Sequence, residues 1–120
     1  MSLYKFIASA RELKEFDIDK DVMKINILTD LTEASNYTDK KNCATFEWCF
    51  SEQNAQVLIT RIKEHLRICP RIELWNATEG EKKDAIVKKC SKNILTIDNI
   101  KEIWGTQKLE QPQCLVVYNA

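Results

Sequence analysis

Between residues 43 and 69 the apolar period changes once, from two to 3.6, and that change constrains the fold more than any other feature. In Cys43-Ala44-Thr45-Phe46-Glu47-Trp48-Cys49-Phe50, residues Ala44, Phe46, Trp48 and Phe50 share one side. Cys43, Thr45, Glu47 and Cys49 share the other, the alternation of a half-buried strand. Ser51 follows as an N-cap oxygen. Ala55, Leu58, Ile59, Ile62, Leu66 and Cys69 then form one stripe at helical spacing, with Arg61, Lys63, Glu64 and Arg67 outside it. Pro70 ends that helix. A strand feeding an amphipathic helix calls for a sheet with a helix packed on its face.

The rest of the chain supplies matching pieces. Leu3–Ser9 reads as a first strand, and Val22–Leu28, with alternate Val and Ile, as a second. Asp30 and Glu33 stand at capping-box spacing, so Thr29–Tyr37 is expected to hold a short helix. Arg71–Ala77 is a strand. Gly80 lies in a charged turn, and Asp84–Cys90 is expected to return as the hairpin partner of 71–77, with a helix over 81–90 as the competing reading. Thr96 caps the next helix, Leu95 and Ile100 make its hydrophobic staple, and Gly105 stops it. Gln113–Asn119 is a final strand.

The expected fold is therefore α+β: an antiparallel sheet with two helices on one face. From residue 43 the order is strand, helix, strand, strand, helix, strand, the ferredoxin-like βαββαβ order. One domain is expected over 1–120, with its core in 43–119 and the N-terminal strands and an irregular flap in 1–42. At 120 residues the chain has room for one core.

Composition removes several function classes. Only Gly80 and Gly105 are present, so no glycine-rich loop can cradle a phosphate, and neither G-x-G-x-x-G, G-x-x-x-x-G-K-[ST] nor G-x-S-x-G occurs. Eighteen basic residues balance eighteen acidic ones, which leaves no global field toward nucleic acid or membrane. Lys82, Lys83, Lys88, Lys89 and Lys92 form a basic group, but Glu79, Glu81 and Asp84 interrupt it and no RNP pattern of aromatics accompanies it. Nucleic acid is thus not expected as a partner. The start of the chain is broken at Lys5 and Arg11 and does not read as a secretory signal, and no apolar window is long enough to cross a membrane. A cytoplasmic protein is expected. Fourteen Lys against four Arg, with thirteen Ile, suit a gene of low G+C content and a bacterial source.

Five cysteines, at 43, 49, 69, 90 and 114, cannot all pair, and no C-x-x-C occurs. They are expected as reduced, mostly packed thiols. His65 and Cys69 stand at i, i+4, which is half of a metal site or the start of a Cys–His pair. Neither has the further ligands or orienting group it needs nearby in sequence, so no metal and no cofactor is expected. Asp17, Asp19 and Asp21 begin like a calcium loop, but Val22 and Leu28 stand where its turn glycine and bidentate glutamate belong.

One positive signal remains. If Phe46, Trp48, Ile72 and Leu74 face the helices, alternation turns Glu47, Arg71, Glu73 and Trp75 to the other face. A Trp among charged groups on an open sheet face suits binding. The expected function is a small interaction or regulatory module without catalytic activity, binding another protein or a second copy as a homodimer through Glu47, Arg71, Glu73 and Trp75. The alternative is a small cofactor-independent enzyme or ligand-binding protein with its pocket at that face, where Glu47 acts as acid/base. In either case Trp75 is expected to be covered, by the N-terminal flap, a second subunit or a ligand.

Overall fold

The computed structural model describes residues 3–17, 21–78, 84–105 and 111–119. Six strands form one sheet: β1 (Leu3–Ser9), β2 (Lys24–Ile27), β3 (Asn42–Glu47), β4 (Arg71–Thr78), β5 (Ile86–Ser91) and β6 (Gln113–Tyr118). Two helices join them, α1 (Glu52–His65) between β3 and β4 and α2 (Ile97–Trp104) between β5 and β6. The α+β class is as expected.

Both helices start where their capping residues stand. The Ser51 hydroxyl accepts the Asn54 N–H, and Thr96 and Asn99 close a reciprocal capping box. The α1 helix ends at His65, before Pro70. Its last turn tightens through the Arg67 N–H to Glu64 and the Ile68 N–H to His65, both at 3.1 Å. Gly105 caps α2 with ordinary right-handed backbone. What requires glycine there is space, because a Cβ would lie 2.5 Å from the Lys101 carbonyl oxygen. The last α2 carbonyls are taken by side chains from the sheet: Lys5 Nζ donates to Trp104 O at 3.2 Å and Asn76 Nδ2 to Ile103 O at 2.9 Å. The short helix expected within Thr29–Tyr37 is a 3-10 turn at Ala34–Asn36. Asp30 there caps its near neighbour Thr32, accepting from both its N–H and its hydroxyl.

The sheet order is β2-β3-β1-β4-β6-β5. It is mixed and not wholly antiparallel, because β5 runs parallel to β6. The chain order strand, helix, strand, strand, helix, strand over 43–119 is present, but the pairing departs from the ferredoxin-like expectation at two places. The strand beside β4 on one side is β1, and on the other it is β6. β5 therefore makes no hairpin with β4. It reaches β6 through α2, a crossover long enough for a parallel pair. The residues of the expected charged turn, 79–83, lie outside the described ones, and residues 86–91 are strand and not helix.

The two faces of the sheet carry different cores. On one, Ile7, Ala44, Ile72, Leu74, Leu115 and Val117 pack against Leu58, Ile62, Ile100 and Trp104 of the helices. On the other, Phe6, Ala8, Cys43, Trp75, Ala77 and Cys114 pack against Ala34, Leu28, Leu31 and Tyr37 of the segment between β2 and β3. The parity expected for β4 holds: Ile72 and Leu74 lie under the helices and Trp75 on the opposite side.

Candidate functional site

Three places in the fold gather residues with chemical potential, and they differ in whether anything can reach them. The first is the face behind Trp75. Trp75 is 5% exposed. Its ring stacks on Phe6 with centroids 5.9 Å apart and planes 6° from parallel, and meets Tyr37 at 5.5 Å. Its indole N–H donates to Glu73 Oε1 at 2.8 Å, and the Thr38 hydroxyl donates to the same oxygen at 2.6 Å. Glu73 thus seals the flap: one carboxylate satisfies the buried indole and ties residue 38 down with charge-assisted bonds. The cover over Trp75 is the N-terminal flap.

Glu73 also acts on the thiols beside it. Burial first, then the Glu73 charge, pushes the Cys43 thiol up to about 11. Cys114 is shifted upward from the same two causes. Of the four residues expected on this face, Glu73 and Trp75 are locked into the flap. Arg71 is exposed at the start of β4. Glu47 closes β3 opposite Lys24 in register; its side chain lies outside the described ones. Of the three whose side chains are described, Arg71 thus faces solvent while Glu73 and Trp75 are closed in.

The second place was half visible in the sequence. His65 is wholly buried, and its partners come from the N-terminal region. Its Nε2 lies 2.7 Å from Ser9 Oγ and its Nδ1 lies 3.0 Å from Glu15 Oε2. A carboxylate only accepts, so with the ring neutral Nδ1 carries the hydrogen and Nε2 accepts the Ser9 hydroxyl. Cys69 Sγ lies 3.4 Å from the same Ser9 oxygen and donates to the Arg71 carbonyl at 3.2 Å. Serine, histidine and carboxylate follow one another as in a hydrolytic triad. Yet Ser9 is wholly buried too, and its oxygen already takes the Arg11 N–H at 3.1 Å. No acyl group can approach an oxygen with that coordination and no exposed surface. The cluster ties the end of β1, the turn at 14–17 and the last turn of α1 together. Sequence reading found His65 and Cys69 but not Ser9 or Glu15, which stand 56 and 50 residues from the histidine. Among the described residues, no group of three or more His, Cys, Asp or Glu is placed to hold a metal ion.

The third place is open among the described residues. Among them β5 ends the sheet, with β6 as its neighbour on one side. The Ile86 N–H donates to Pro112 O and the Lys92 N–H to Tyr118 O, both at 2.9 Å, so the even residues of this segment bond to β6. Strand geometry then turns the N–H and C=O of Val87 and Lys89 to the free edge. The side chains there are exposed as well: Ile86 is 42% exposed, Val87 52%, and Ile94 just beyond the strand 67%. On the helix side, Ile86, Cys90, Ile94, Asn99, Ile103 and Leu115 line a groove of about 180 Å³ between β5 and α2. Across its mouth Lys88 pairs with Glu102. On the other side, Arg71, Lys89, Val116 and Tyr118 border a hollow of about 390 Å³. Arg71, exposed and a member of the expected set, here borders the same hollow as Lys89, one of the basic group of lysines in the sequence. Among the described residues no acidic side chain pairs with either.

A further hollow of about 380 Å³ lies at the opposite edge, by β2, between Leu13, Ile25, Ile27 and Asn42. Its charged rim is self-satisfied in part, since Lys14 pairs with Glu12 at 3.0 Å. No helix among the described residues is long and apolar enough to cross a membrane. No family model matches the chain, and no curated protein and no solved structure matches it.

Proposed function

We propose that the protein is an interaction module without chemistry of its own, and that it engages its partner through the free edge at β5. The observation that supports this reading is the coincidence at one strand of outward backbone groups at Val87 and Lys89 with exposed apolar side chains on both of its faces. A free edge carrying exposed Ile and Val invites strand pairing, which proteins ordinarily blunt with bulges, covers or charge. Here Lys88 and Lys89 supply charge, which discourages unspecific pairing while leaving the backbone accessible.

The reading is tested by placing a photo-crosslinking side chain at Val87 and, separately, at Ile27 on the opposite edge, in cells that make the protein. A discrete adduct is expected from position 87 and not from 27. Lys89→Pro should abolish it, because residue 89 donates no bond to β6 and proline there removes only the outward N–H. Adducts that are the same from both edges, or that survive Lys89→Pro, would contradict the reading.

A further inference from the structure

We infer that the β5 edge takes an extended acidic segment of another protein, which adds to the sheet as a seventh strand with acidic residues on one side and apolar residues on the other. The inference rests on the proposed edge function and adds the chemistry of the partner. The outward groups of Val87 and Lys89 repeat every second residue, and only an extended chain presents donors and acceptors at that interval.

The side chains of such a strand would alternate between the two faces of the sheet, and the surfaces that await them differ. Toward the helices they meet Ile86, Ile94 and Ile103 along the groove beside α2. Of the two lysines that border it, Lys88 is engaged by Glu102; Lys89 borders the opposite hollow as well, and alternation along the strand turns its side chain to that face. Toward the other face they meet Lys89 and, across the hollow at Val116 and Tyr118, Arg71. Two cations without an acidic partner among the described residues, set beside an open backbone edge, are complemented by Asp or Glu.

A second copy of the chain fits less well. In an antiparallel pairing of two β5 strands centred on residue 88 or 89, lysine faces lysine across the new ladder. Shifting the centre to Val87 sets Lys88 against Ile86 and leaves Lys89 at the margin opposite Ala85. Like charges directly opposite are destabilising, so the central registers are penalised.

The test uses the purified full chain with two seven-residue peptides, one alternating Val with Glu and one alternating Val with Lys. Binding is followed residue by residue by NMR, and the oligomeric state by equilibrium sedimentation. The glutamate peptide should perturb residues 86–91 and bind at least about tenfold more tightly than the lysine peptide. The double variant Arg71→Glu/Lys89→Glu should reverse that preference, and Lys89→Pro should abolish binding of both, with unchanged circular dichroism confirming that each variant folds. Equal binding of the two peptides, still lost in Lys89→Pro, would overturn the acidic partner and leave the edge function standing. So would a dimer that Lys89→Pro dissociates and that binds neither peptide. A monomer that binds neither peptide would overturn both. Binding of the glutamate peptide that survives Lys89→Pro would place it elsewhere and overturn the inference.

Discussion

β4 and β5 belong to one sheet with a single strand between them, and they meet solvent in opposite ways. In β4, Ile72, Leu74, Trp75, Asn76 and Ala77 are all buried, the helices lying on one face and the flap on the other. In β5 the first four residues are exposed, and only Cys90 and Ser91 are buried. Among the described residues β4 has two neighbours that complete its ladder, and β5 has one. The same chain thus closes the surface that carries Trp75 and leaves open a surface that carries Ile, Val and Lys. A large aromatic left exposed forfeits more burial free energy than any other side chain, so the fold spends its flap there. The difference separates satisfied from outward polar chemistry: Glu73 beside Trp75 has its donors inside the protein, whereas Lys89 and Arg71 are exposed.

If the closed region is structural, its variants should act on stability first. Trp75→Ala removes the ring that stacks on Phe6 and meets Tyr37 at a tilt, and the expected loss is about 3–5 kcal/mol by denaturant titration. A loss under about 1 kcal/mol would mean that the flap does not rest on Trp75. Ile62→Ala deletes a wholly buried stripe residue of α1, with an expected loss of roughly 2–5 kcal/mol. Glu73→Gln keeps the shape but removes the charge that accepts from Thr38 and Trp75. It should cost about 1–2 kcal/mol, measured in the same way.

The thiols behind the flap sharpen the comparison through pH. Unfolded thiols ionise near pH 9, whereas Cys43 in the fold is held protonated up to about 11 by burial and by Glu73. Cys114 is shifted in the same direction. The unfolded chain releases these protons first, so their contribution to stability is complete below about pH 9 and is lost as pH rises through the folded value. Lys5 works against this trend, because burial lowers its folded pKa. Comparing denaturation midpoints at pH 8.5 and 10.5 in the parent and in Cys43→Ala/Cys114→Ala isolates the thiol part. The variant should lose less stability on going to high pH, and equal losses would refute the assignment. Lys89→Pro closes the series. Removing an outward N–H from an exposed edge should change stability by no more than about 0.5 kcal/mol.

Local patterns in the sequence were sufficient for the elements. The strand–cap–helix run of 43–69 and the Thr96 cap of α2 depend on neighbours a few residues apart, and both helices start at the expected caps; the strand stops at Glu47 and not Phe50, and α1 stops at His65, short of Cys69. Alternation along β4 put Trp75 on the face away from the helices. What alternation could not show is what lies on that face, because the cover comes from Leu28, Leu31, Ala34 and Tyr37, far away in the chain. The partner of β5 was misread for a related reason. The charged stretch around Gly80 resembled a hairpin turn, while the strand–helix–strand succession of β5, α2 and β6 carried the opposite signal, for a parallel crossover. Within the candidate edge, Arg71 was legible as an outward cation. Lys89 was lost in a run of lysines until the sheet order made it the last strand's outward side chain. Ser9 and Glu15 carried no signal at all, since the histidine they serve is brought to them only by folding.

The central claim is that β5 is the open surface and the Trp75 face is not. Residue-resolved amide hydrogen exchange of the full chain, free and with the alternating Val–Glu peptide, tests it most directly. In the free protein, the amides of Val87 and Lys89 should exchange freely while those of Ile86 and Lys88, bonded to β6, are slow. With the peptide, Val87 and Lys89 should gain protection while Trp75 and Tyr37 stay unchanged. Val87 and Lys89 already protected in the free chain, or protection gained at Tyr37 and Trp75 in place of the edge, would contradict the account.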